Sequence, residues 1–148
     1  MDPQAIESQL RDFLAARAEE EGIAAAYLFG SVARGTARPE SDVDVGILYS
    51  EEPPTEEHRL QSQIEKSLGI RAQVVVLNQV PPELAVRIFS EGDRFIERDR
   101  RKMVQFEVDT RNEYWDLERY LDMYRKTNGL PLRPSLEDLL EEYRESRQ

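Results

Sequence analysis

Between residues 22 and 97, apolar runs of strand length alternate with stretches of helical periodicity, a pattern that calls for a sheet covered by helices. Ile23 to Phe29 is an apolar run closed by Gly30-Ser31. Asp42 to Tyr49 sets Val43, Val45 and Ile47 against Asp42, Asp44 and Gly46 with period two. Ile70 to Leu77 is β-branched, and Arg94 to Glu97 supplies a brief fourth strand. A first helix is predicted over residues 3 to 21, where Ile6, Leu10, Phe13, Leu14 and Ala18 recur at spacings of three and four and Gly22 is the stop. Others are predicted from about Thr55 to Leu68, from Pro81-Pro82 to Ser90 and from about Arg100 to Lys126. Asn128-Gly129, Pro131 and Pro134 make a linker to a terminal helix that Ser135 caps and that bears Leu136, Leu139, Leu140 and Tyr143. The fold class is α/β or α+β, with a mixed sheet of about four strands whose order the spacing leaves open. The expected division is a domain over residues 1–126, then the linker and amphipathic helix over 127–148.

At 148 residues the chain has enough length for one core without staples, and without cysteine it has neither disulfides nor a thiolate zinc site. No apolar run is long enough to span a bilayer, and Met1-Asp2-Pro3-Gln4 does not read as a signal peptide, so a cytoplasmic location and no membrane partner are expected. The net charge of −10 opposes nonspecific contact with a nucleic-acid backbone and suits a basic protein partner better.

The chemistry concentrates in two places. On a strand, Asp42 and Asp44 point to the same face, and two neighbouring carboxylates repel unless a cation lies between them. Magnesium, which takes one or two carboxylates together with phosphate oxygens and water, answers that need. The second place is Gly30-Ser31, where a strand turns into a short helical turn: glycine admits close backbone approach, serine offers a hydroxyl, and helix N–H groups favour an anion. Arg34 or Arg38 adds a guanidinium suited to phosphate, and Arg34 enters the candidate set. Alone, each motif is common in chains that bind nothing; together they select a triphosphate site. His58 is read as a surface residue and the Arg98, Arg100, Arg101, Lys102 cluster as a solvated helix start. Tyr114, Trp115, Tyr120 and Tyr124 are expected to pack in the core, because their spacing is helical.

Gly30-Ser31, ten intervening residues and then Asp42-x-Asp44 resemble the signature of the DNA polymerase beta-like nucleotidyltransferases. Gly-Ser-Val-Ala-Arg-Gly at 30 to 35 is similar to the minimal, MNT-type branch, as are Ser41-Asp42-Val43-Asp44, Val76-Leu77-Asn78 and Ile88-Phe89-Ser90-Glu91-Gly92. The likeness spans roughly residues 22 to 126. It implies a nucleotidyltransferase fold and a site in which Asp42 and Asp44 hold Mg2+ and carry catalysis, while Gly30, Ser31 and Arg34 join them in binding ATP. Members of that branch often act as antitoxins of HEPN-domain ribonuclease toxins, in some cases by moving AMP onto a toxin tyrosine, which implies a cognate HEPN toxin as partner and a hetero-oligomer. The resemblance departs at Gln73, where the family usually carries a third acid; an amide is no general base and balances no second metal ion. Two readings follow: an adenylyl-transferring antitoxin, or one that neutralises its toxin by binding alone. A small-molecule transferase is the lesser expectation, since little chain is left for an acceptor domain.

Overall fold

The computed structural model describes residues 3–30, 33, 35, 42–56, 58–130 and 134–146. In chain order these form α1 (Pro3–Glu21), β1 (Ile23–Phe29), β2 (Val43–Tyr49), α2 (Arg59–Leu68), β3 (Ala72–Val76), a 3-10 turn (Leu77–Gln79), α3 (Pro82–Glu91), β4 (Asp93–Glu97), α4 (Arg100–Thr127) and α5 (Leu136–Ser146). The strands make one mixed sheet in the order β3-β2-β1-β4. β1 runs antiparallel to both β2 and β4, whereas β2 and β3 are parallel, with α2 as the crossover between them.

Both faces of this sheet are covered. Val43, Val45 and Ile47 pack with Leu10 and Leu14 of α1 and Leu60 and Ile64 of α2. Tyr27, Phe29, Val75 and Leu77 pack on the other side with Leu84, Ala85 and Ile88 of α3, Met103 of α4, and Leu136, Leu139 and Leu140 of α5. Burial on both faces is why the central strand β1 is apolar throughout, since each fully buried aliphatic side chain stabilises the fold by about 1.5–3 kcal/mol. In β2, where apolar and polar residues alternate, the face that carries Asp44 is enclosed as well, and Asp44 is only 8% exposed. At Gly46 the missing side chain leaves room for Ile88 of α3 to approach the strand.

Local chemistry fixes the ends. Arg59 donates from Nη1 and Nη2 to the carboxylate of Glu21 at 3.0 and 2.7 Å, tying the start of α2 to the end of α1. Asn78 acts as a strand residue made of side chain: its Oδ1 accepts from Tyr49 N at 2.9 Å and its Nδ2 donates to Tyr49 O at 3.0 Å. Asp99 caps α4 by accepting from Lys102 N at 3.1 Å. Ser135 Oγ accepts from Asp138 N while Asp138 Oδ2 accepts from Ser135 N, both at 3.1 Å, a reciprocal cap that opens α5. The free edge of β3 is occupied by α2, with Ala72 N donating to Glu65 Oε2 at 3.1 Å and Val74 N to Gln61 Oε1 at 3.0 Å.

The aromatic residues of α4 depart from expectation. Trp115 is 71% exposed and Tyr120 65%, Tyr124 is also exposed, and Tyr114 is half-buried. The cause is length: 28 residues at about 1.5 Å each carry the helix well past the sheet, and within it only Met103 and Thr110 are buried. Periodicity identified the helix correctly but could not say where the domain beneath it ends. Among the described residues no helix is long and apolar enough to cross a membrane.

Candidate functional site

The candidate site lies where the C-terminal end of β1 meets the N-terminal ends of β2 and β3. Antiparallel pairing sets Phe29 opposite Asp44, and parallel pairing sets Asp44 beside Gln73. The two stretches singled out in the sequence are therefore in contact. Gly30 has φ of 77°, and a Cβ built on it would lie well inside van der Waals contact distance of Asp44 Oδ2. A side chain at position 30 and the carboxylate at position 44 cannot both keep their places.

Asp42 precedes β2 and Asp44 is its second residue, with Val43 between them turned into the opposite core layer. Both acids accordingly stand on one side of the strand. Their surroundings differ: the side chain of Asp42 is 49% exposed, with Arg71 Nε 3.8 Å away, whereas Asp44 is enclosed. The Asp42–Arg71 pair is open to solvent and contributes little to stability. Ser31, Arg34 and Arg38, the other phosphate-binding candidates, lie outside the described residues.

Arg144, near the end of α5, is a residue that the sequence reading missed. Its Nε donates to Gln73 Oε1 at 2.9 Å, its Nη2 donates to the same oxygen, and Nη2 lies 3.6 Å from Asp44 Oδ1. Asp42, Gln73 and Arg144, with His58, Gln61, Val74, Val76 and Tyr143, line a cavity of about 340 Å³. Burial raises the Tyr143 hydroxyl above the usual tyrosine range. His58, read from sequence as surface, is exposed and sits at this cavity's rim. The one signal that could have pointed to Arg144 is its place next to Tyr143 at the border of the apolar stripe of α5; its separation of 71 positions from Gln73 hides the contact.

The profile of the family described as polymerase beta nucleotidyltransferase matches residues 11–101, which takes in β1, β2, β3 and β4 and both carboxylates. The chain belongs to that nucleotidyltransferase family. Among solved structures, this nucleotidyltransferase is similar to a chain of a toxin–antitoxin crystal structure with AMP-PNP, at 19% identity and a TM-score of 0.64, covering 79% of this chain and 93% of that one. It is also similar to a chain of a complex between tri-AMPylated HEPN toxin and MNT antitoxin from Shewanella oneidensis, at 18% identity and a TM-score of 0.61, covering 84% and 93%. A structure assigned as a minimal nucleotidyltransferase is 30% identical, with a TM-score of 0.55, covering 62% of this chain and 94% of that one. No curated protein is similar enough in sequence to count as a match.

Proposed function

We propose that this nucleotidyltransferase is the antitoxin of a HEPN toxin pair and transfers AMP from ATP to a tyrosine of its partner. The single observation that carries the reading is the contact of Gly30 with Asp44, which brings the glycine of the Gly30-Ser31 motif against one of two carboxylates on one side of a strand. The same contact is the test of fit for a metal. The bare α-carbon of Gly30 lets the chain lie against the Asp44 carboxylate, the donors are two hard carboxylate oxygen groups, and a cationic guanidinium already lies near Asp44. No group of three or more metal-ligating side chains occurs among the described residues, which suits an ion that the protein shares with substrate phosphates rather than cages alone. Asp42 and Asp44 would hold Mg2+, whose chemistry when bound is to neutralise charge on the phosphoryl oxygens.

The chain's own residues supply the rest. Gly30 and Ser31 bind and orient the outer phosphates, with Arg34 the guanidinium candidate beside them. The acceptor hydroxyl oxygen bonds to the α-phosphorus, the bond from phosphorus to the bridging oxygen breaks, and pyrophosphate departs. With an amide at position 73, Asp42 is the carboxylate open to the cavity that can take the hydroxyl proton, Asp44 being enclosed. The exposed aromatic residues of α4 support a protein partner, because Trp115, Tyr120, Met123 and Tyr124 are unusual side chains to leave in water. The structural neighbours with a HEPN toxin in their complexes support that partner's identity.

Co-expression with the partner, followed by intact-mass analysis of the partner in the presence of ATP and Mg2+, tests the transfer. Mass gains in AMP steps that disappear in Asp44→Asn are expected. A second reading has an observation of its own: Gln73 and Arg144 replace negative charge at the site with a neutral amide and a cation, which favours an antitoxin that acts by binding alone. A tight complex with no mass gain would select it.

A further inference from the structure

We propose that Arg144 is a phosphate-binding residue of the nucleotide site, delivered by the C-terminal helix and aimed by Gln73; the inference rests on the nucleotide reading of that site. Gln73 Oε1 takes two of the five N–H donors of the guanidinium, which fixes its plane. An amide oxygen does this without cancelling the positive charge, as a carboxylate at the same position would. Asp44 Oδ1, at 3.6 Å from Nη2, is beyond hydrogen-bonding distance and balances the charge only in part. Nη1 donates to no described acceptor, the side chain is 42% exposed, and the residue lines the same cavity as Asp42. A guanidinium held rigid, incompletely neutralised and open to a cavity is suited to an anion with several oxygens, and a nucleotide's phosphates are the anion whose counter-ion site lies next to it. Leu136, Leu139 and Leu140 anchor α5 in the core on the face that Asp44 shares, so the position of Arg144 is set by packing rather than by the ion pair.

Calorimetric titration of the full chain with ATP, ADP and adenosine, in Mg2+ and in chelator, separates the possibilities. The wild-type chain should bind Mg2+-ATP, Arg144→Ala should bind it about 10- to 100-fold more weakly, as expected for loss of a hydrogen bond to a charged group, and Arg144→Lys should fall between. Affinity for adenosine should not change. Gln73→Glu, which keeps the geometry and neutralises the guanidinium, should weaken ATP binding in chelator. Thermal melting of Arg144→Ala within a few degrees of wild type would assign the loss to the site. If the wild-type chain binds ATP and Arg144→Ala binds it equally or more tightly, Arg144 is not a ligand and the inference falls while the site reading stands. If the wild-type chain binds no nucleotide, both fall together.

Discussion

Gly30 and Asp44 occupy each other's margins: the α-carbon of one is bare where the carboxylate of the other lies. Gly30→Ala should therefore destabilise the fold by about 1–2 kcal/mol for a Cβ in the left-handed region, and by more for the displacement of Asp44. Gly35 is an internal control, since its φ of 73° carries the same backbone cost while a Cβ there meets no atom of the described residues within 4 Å. Chemical denaturation of the two alanine variants should rank Gly30→Ala below Gly35→Ala. Equal stabilities would mean that the carboxylate yields freely.

Asn78 completes the ladder at the end of β2 with its side chain. Asn78→Ala leaves the backbone N–H and C=O of Tyr49 unsatisfied in a buried setting, and a loss of about 1–3 kcal/mol is expected in urea unfolding. Asn78→Asp keeps the acceptor and loses the donor, so it should retain part of the stability at neutral pH.

The cap of α4 makes a pH-dependent contribution. Hydrogen bonding from Lys102 N is the first cause that holds the Asp99 carboxyl below its ordinary value near 3.8, and Ser50 adds to it. A carboxyl with a lowered folded-state pKa stabilises the fold above its ordinary titration range, and that stability is lost as pH falls through the folded value. Melting temperatures recorded from neutral pH down through the acid limb should show a flatter decline for Asp99→Asn than for wild type. Asp99→Ala should melt lower at neutral pH as well, having lost the acceptor. Parallel acid limbs in Asp99→Asn and wild type would remove Asp99 from the account.

Trp115 is the single tryptophan and is largely in water, so it reports on the outer face of α4 without interference. Its emission should be that of a solvated indole in the isolated chain and should shift to the blue when the partner binds. Trp115→Ala should leave stability within about 0.5 kcal/mol of wild type, as exposed substitutions do. It should weaken the complex roughly tenfold or more if the residue is a central anchor. An unchanged spectrum in a demonstrated complex would put the interface elsewhere.

Most of the secondary structure was readable from the chain, because the signals that set it are local. Ile23–Phe29 agrees with its apolar run, and Pro82 opens α3 where a proline is tolerated. The helix expected from Thr55 begins only at Arg59, where the ion pair with Glu21 of α1 sets the start from outside the segment. The adjacency of Gly30 and Asp44 was implied by two motifs at a fixed spacing, whereas Arg144 reaches Gln73 only through the packing of α5. The aromatic residues of α4 were misassigned to the core because helical period does not reveal where the domain beneath a long helix ends.

The side chains of Gln61 and Glu65 along the outer edge of β3 have a consequence for assembly. Two amides that a visiting strand would need are already spoken for, so enlarging the sheet from that side would first require prising α2 away. Growth of the sheet by addition of another copy along β3 is therefore opposed in the native state.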